Sequence, residues 1–178
     1  MKHVRFSSII IFCLCLLSLA ISCKKQGIDL LPPATNNGSN TFGCLINGKA
    51  FVGQSRSELF LNIAAVQSSY HDGTLSVLGS HYFGSTPTGS IFGISIYIQT
   101  PKHLGTIAVP GANRNNISYS DNQETFRFNS DSTHTGSVII TRFDSVKHIY
   151  SGTFQGSLID TNGKIAQITD GRFDVKGQ

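Results

Sequence analysis

The sequence predicts an all-β domain over residues 41–178, a single antiparallel β-sandwich or meandering barrel of roughly ten short strands. Three observations carry that expectation. Asn-Gly stands twice between apolar runs, at Asn47-Gly48 and Asn162-Gly163, and this dipeptide favours tight hairpins because it accepts the positive φ that a type I′ turn demands. Ser90 to Gln99 alternates strictly, with Phe92, Ile94, Ile96 and Ile98 on one face and Gly93, Ser95, Tyr97 and Gln99 on the other, the period of a half-buried strand. No amphipathic helix of useful length follows Cys23.

The chain opens with a different logic. Lys2, His3 and Arg5 precede the apolar run Ile9 to Leu19, which is too short for a spanning helix and suits a signal peptide. Ser18-Leu19-Ala20-Ile21-Ser22-Cys23 then reads as a lipobox, with small Ser22 before the cysteine. Cleavage there removes residues 1–22 and leaves Cys23 to be acylated, which holds the protein on a bilayer. Residues 23–40 have the composition of a flexible tether: Pro32-Pro33, Asn36-Asn37-Gly38 and few apolar residues beyond Ile28, Leu30 and Leu31. Fully extended, the residues after Cys23 would reach ~55 Å from the membrane.

From Thr41 the strands follow in order. Phe42 to Ile46 and Lys49 to Val52 flank the first Asn-Gly. Glu58 to Val66 carries apolar residues of both parities and reads as a central, two-sided strand, with a short helix the alternative that pattern alone leaves open. His71-Asp72-Gly73 signals a turn before the strand Leu75 to Leu78. Ser90 to Gln99 ends at Pro101, and Gly105 to Val109 ends at Pro110-Gly111. Ile117 to Tyr119 and Thr125 to Phe128 form a pair, and Gly136 to Phe143 and His148 to Leu158 another. In the last strand, Ile165 to Val175, Ala166 and Ile168 are even while Phe173 and Val175 are odd. One extra residue near Asp170-Gly171 brings both pairs to one face, which predicts a β-bulge.

Composition narrows the function classes. Removing residues 1–22 takes Lys2 and Arg5 from the 14 basic residues and leaves all 10 acidic ones, a net charge near +2. That is too small and too dispersed for nucleic-acid binding. Cys13 and Cys15 leave with the leader and Cys23 is acylated, so Cys44 is the remaining thiol and no intramolecular disulfide is expected. In its apolar strand Cys44 reads as a small core residue.

Catalytic and metal motifs are weak. His71, His81, His103, His134 and His148 form none of the spacings metal sites use, and no Gly-x-Ser-x-Gly elbow supports a serine hydrolase. Asp160-Thr161-Asn162-Gly163 resembles the opening of a calcium loop but lacks the later ligands, and reads as a turn. Asp170 and Asp174 flank the expected bulge, where aspartates commonly serve turn amides, with Arg172 near enough to pair with one of them. The aromatic residues that a glycan platform would need are Tyr70, Tyr82, Tyr97, Tyr119 and Tyr150, spread along the chain, and there is no Trp. Neither metal nor cofactor is expected.

Thr41-Phe42-Gly43-Cys44-Leu45-Ile46-Asn47-Gly48-Lys49-Ala50-Phe51, the preceding Leu31-Pro32-Pro33-Ala34-Thr35, Ser151-Gly152-Thr153-Phe154 and Ile168-Thr169-Asp170-Gly171-Arg172-Phe173-Asp174-Val175 resemble small Bacteroidetes lipoproteins of unknown function, the DUF6252 family. The resemblance implies a lipid-anchored envelope protein of a Gram-negative bacterium and supplies no active-site residues. Lipoproteins sent to the cell surface in that group often carry acidic residues just after the acylated cysteine. Here Lys24-Lys25-Gln26 stands instead, which favours the periplasmic face of the outer membrane.

The expectation is therefore an outer-membrane lipoprotein attached through Cys23, its β-domain a non-enzymatic binding or structural module for an unidentified protein or small molecule. The alternatives are a lipocalin-like barrel around a small apolar ligand and an envelope hydrolase, which needs converging His, Asp and Ser.

Overall fold

The structure, a computed structural model, describes residues 27–58, 61–83, 90–99, 104–110, 115–121 and 127–177. The expected leader, Cys23, Lys24 to Gln26, Leu59, Phe60, His103 and part of the Thr125 to Phe128 strand lie outside them. Among the described residues, no helix is long and apolar enough to cross a membrane.

The all-β expectation holds. Eleven strands form one curled antiparallel sheet, a half-barrel. They are β1 (Thr41–Ile46), β2 (Lys49–Val52), β5 (Val66–His71), β6 (Thr74–Phe83), β7 (Ser90–Gln99), β8 (Gly105–Val109), β9 (Asn116–Asp121), β10 (Arg127–Asn129), β11 (Gly136–Asp144), β12 (Ile149–Ile159) and β13 (Ile165–Lys176). The order runs β2-β1-β13-β12-β10-β9-β7-β6-β5. The sheet forks at β12: β11 pairs along Ile149 to Gly156 with β8 beyond it, while β10 takes only the far end, Asn129 opposite Ile159.

One strand expectation is corrected. The Glu58 to Val66 run is not a central strand. β3 (Arg56–Glu58) and β4 (Leu61–Ile63) make a separate small hairpin, Glu58 opposite Leu61, and Val66 opens β5. Apolar residues of both parities suit a chain reversal as well as a two-sided strand, and pattern alone does not separate them.

Local chemistry sets the turns. Asn47 and Gly48 have φ of 50° and 78°, and Asp72 and Gly73 have 48° and 76°, the paired positive values of type I′ hairpins. The second Asn-Gly turns differently, since only Gly163 is left-handed. There Asp160 Oδ1 accepts the Asn162 and Lys164 amides, both at 2.8 Å.

The bulge is where parity placed it. Going from Phe154 to Gly156 on β12, β13 runs from Gly171 to Ile168; going from Gly43 to Leu45 on β1, it runs from Arg172 to Thr169. The extra residue sits on β13, and Asp170 takes a φ of 53° there. Ala166, Ile168, Phe173 and Val175 are accordingly all buried.

The concave face holds the core. Ile94, Ile96 and Ile98 of β7 are fully buried, as is Cys44, whose thiol pKa burial pushes up. The Phe42 ring lies tilted 5.2 Å from Phe154, which lies 6.5 Å from Phe173. The curl brings β1 over β6, and the Phe42 ring lies against the bare Cα of Gly79, where any Cβ would overlap it. The interior is filled with side chains at that level. Backbone bonds fasten the same crossing: Gly53 N–H to Phe42 O at 2.8 Å, Gln54 N–H to Ser80 O at 2.8 Å and Ser80 N–H to Ala65 O at 3.0 Å. The His81 Nδ1–H donates to Val52 O at 2.6 Å.

Residues 27–40 are not a free tether. They form a strap along the outer face of β1, β13 and β12, with a single 3-10 turn at Ile28–Leu30 and Leu31 buried. The composition suggests a loose segment because it has no apolar period, yet its backbone is held by polar partners. Pro32 lies over Gly43, and Gly38 lies against Ile149 and Lys176. The Arg142 guanidinium donates to Asn36 O at 2.8 Å, and Lys176 N–H donates to Asn40 Oδ1 at 2.9 Å.

Gly79→Ala forces a methyl into the Phe42 ring and is expected to cost about 1–3 kcal/mol of stability, measured by urea unfolding. An unchanged midpoint would mean the rings have room to move.

Candidate functional site

Two built features stand out: a buried carboxylate that holds the strap, and an aromatic groove between the β1–β2 hairpin and β9–β10.

The bulge sends Phe173 and Val175 inward, so Asp174 between them faces outward, and the strap buries it to 1% exposure. Its carboxylate accepts from Thr35 Oγ1 at 2.6 Å, Asn37 N at 3.1 Å, Gly38 N at 2.8 Å, Ser39 N at 3.0 Å and Ser151 Oγ at 2.6 Å. Desolvation alone raises its pKa. The bonds from Ser151, Ser39, Thr35 and Gly38 outweigh it and hold the pKa at about 2. Arg172, expected to pair with a carboxylate, donates instead to the carbonyls of Pro32 at 3.2 Å and Asp170 at 3.3 Å. Asp170 is exposed in the bulge, so the two aspartates serve separate places and make no acid–base pair.

The groove encloses about 570 Å³. Phe51 of β2, Tyr119 of β9 and Phe128 of β10 line it, Tyr119 and Phe128 being direct cross-strand partners. Tyr119 meets Phe51 edge-on at 6.2 Å and stacks with Phe128 at 6.0 Å, arrangements that aromatic quadrupoles favour. Lys49 and Lys164 stand at the rim with Asp160. Asp160 is engaged with turn amides, whereas neither lysine forms an ion pair among the described residues. The hairpin tips carrying them are tied together, since Asn47 and Gln167 exchange bonds of 2.9 Å: Asn47 N–H to Gln167 O, and Gln167 N–H to Asn47 Oδ1. A second opening, about 590 Å³ beside β5 and the end of β13, lacks an aromatic floor.

Sequence reading named Tyr119 only among scattered tyrosines and passed over Lys49, Lys164 and Phe128 as site residues. A signal was present: Asn-Gly-Lys occurs at both hairpin tips, Asn47-Gly48-Lys49 and Asn162-Gly163-Lys164. Tyr70 and Tyr150 belong to a different cluster with Phe143, which lies 5.0 Å from Tyr70 and 5.3 Å from Tyr150. There the Tyr150 hydroxyl is buried without a hydrogen-bond partner, as is Ser68 Oγ, and desolvation raises the Tyr150 pKa. Tyr82 is buried and Tyr97 is exposed on β7.

The described histidines do not converge. His71 pairs at 3.0 Å with Asp72 in the open, His81 bridges to β2 and His148 is exposed in the β11–β12 turn. His134 lies near a carboxylate and a hydroxyl, but Asp131 Oδ1, at 3.0 Å, and Thr133 Oγ1, at 2.9 Å, both meet Nδ1. A catalytic triad sets orienting acid and nucleophile on opposite ring nitrogens, so this is a turn. The His134 amide, with the Thr133 hydroxyl and amide, holds the Asp131 carboxyl well below its ordinary range, and the Arg142 guanidinium lowers that of Asp144. No group of three or more metal-ligating side chains occurs among the described residues.

No family model, curated protein or solved structure matches the chain.

Asp174→Asn sets an amide N–H₂ against donors and is expected to cost about 2–4 kcal/mol near neutral pH. The ionised-state contribution, roughly 2 kcal/mol for a pKa lowered from 3.8 to about 2, is present above about pH 4 and lost as pH falls toward about 2. The stability gap between wild type and variant in urea unfolding should therefore be flat above about pH 4 and narrow below it. A gap that widens on acidification would rule out the carboxylate's role.

Proposed function

We propose that this chain is a lipid-anchored envelope protein, held through Cys23 on the periplasmic face of the outer membrane, whose β-domain binds a small amphipathic anion without chemical turnover. Membership of the lipoprotein family it resembles belongs to the same reading. The observation that carries the binding assignment is the pairing of an aromatic floor, Phe51, Tyr119 and Phe128, with two lysines at the rim that have no ion partner among the described residues. A flat or aliphatic body gains by leaving water for the rings. An acidic group on it meets Lys49 and Lys164, which act as compact point charges and supply affinity that salt weakens. Asp160 at the rim is engaged with turn amides, and Lys49 and Lys164 meet the ligand's charge, so this reading assigns the groove retention rather than turnover.

Cys23→Ala is expected to move the protein from the membrane to the soluble fraction of the producing cell; persistence in the membrane would remove the anchor reading. That soluble form can be titrated with anilinonaphthalene sulfonate, an aromatic body bearing one anionic group. Lys49→Gln with Lys164→Gln should weaken binding about tenfold, leave the unfolding midpoint unchanged and abolish most of the salt dependence. Equal affinity in both proteins would remove the groove as the site.

A further inference from the structure

The described chain begins beside a hairpin tip. A Cβ on Gly27 would lie 2.6 Å from the Gly48 carbonyl oxygen and 3.1 Å from Leu45 Cδ2, so the strap starts at the β1–β2 turn. It then climbs the outer face to Asn40, which binds Lys176 at the opposite end of β13. Only Lys24, Lys25 and Gln26 separate Gly27 from Cys23. Four Cα steps span at most ~14 Å, against the ~55 Å of a free tether. The clasp on Asp174 takes up the difference.

We infer that the end formed by the strap start and the β1–β2 and β12–β13 tips is a docking face that rests on a bilayer surface bearing anionic head groups. This rests on the anchor reading above. The short leash brings this end, and no other, within reach of the head groups, a layer several ångströms deep. Its side chains suit that place. Leu30 is 67% and Ile165 48% exposed, the one beside Gly27 and the other directly after the β12–β13 turn. Lys49 and Lys164, directly after the two turns, are exposed and have no ion partner among the described residues. Apolar side chains flanked by lysines are the composition of an interfacial surface, where each lysine also draws on the negative potential of the membrane. The opposite end carries the β11–β12 turn, with Val146 88% exposed, roughly the length of β12, ~36 Å, away. The groove opens on the docking face, since Lys49 and Lys164 belong to both.

The test uses the acylated mature protein in vesicles of phosphatidylglycerol and phosphatidylethanolamine. An environment-sensitive nitrobenzoxadiazole label is attached through Ile165→Cys or, separately, Val146→Cys. Cys44 is buried and Cys23 is blocked by its thioether, so the new thiol takes the label. The label at 165 should shift to the blue and be quenched by spin-labelled lipid, while that at 146 should keep the emission of water. Adding Lys49→Glu and Lys164→Glu should cut the quenching at 165 at least threefold. Acylated, vesicle-bound protein with both labels in water, or with 146 the more quenched, overturns the docking face and leaves the anchor standing. Protein recovered without acyl mass and unable to float with vesicles overturns the anchor, and the docking face falls with it.

Discussion

The Asp174 carboxylate holds the strap of residues 27–40 in place on the sheet. Five donors from the strap and from Ser151 converge on it where water is excluded. A buried carboxylate without partners would shed its charge by taking up a proton. Here dipoles do what a cation usually does: three consecutive backbone amides, Asn37 to Ser39, wrap the charge in a nest. The exchange is mutual, because those amides gain a charged acceptor. A segment with no apolar period is thereby fixed on the sheet by hydrogen bonds, together with the burial of Leu31 and the packing of Pro32 over Gly43.

The clasp depends in turn on one extra residue. Without the bulge at Asp170, Phe173 and Val175 would point away from the core that Ala166 and Ile168 enter, and Asp174 would enter it. A single left-handed residue thus sets two things at once: the aromatic cluster of Phe42, Phe154 and Phe173 inside, and the carboxylate outside. Phe42 carries the constraint across the curl, where its ring occupies the space that glycine leaves at position 79. The inner and outer faces of β13 are therefore tied to the same register.

Antiparallel pairing also gathers the site. β1 and β13 are neighbours running in opposite directions, so the turn after β1 and the turn before β13 meet at one end, and the Asn47–Gln167 bonds fix their spacing. Two lysines far apart in the chain become rim neighbours, while the curl supplies aromatic rings from β2, β9 and β10. Nothing comparable happens to the described histidines, which are placed in turns or engaged with backbone.

The sequence by itself determined the local decisions. Asn47-Gly48 made its hairpin, the alternation from Ser90 to Gln99 placed Ile94, Ile96 and Ile98 in the core, and the parity switch marked the bulge within a residue or two. These depend on backbone preference and side-chain period, which act over a few residues and are written in order along the chain. Glu58 to Val66 escaped because strand and hairpin share the same apolar pattern at that length. The fork at β12, the docking of residues 27–40 and the groove were decided only by the tertiary structure. The fork joins Asn129 to Ile159 across the intervening β11, and the other two depend on partners more than a hundred residues apart, as Thr35 is from Asp174 and Lys49 from Lys164. Their energy comes from which groups the curl excludes from water together, a property of the folded surface and of no single stretch of chain.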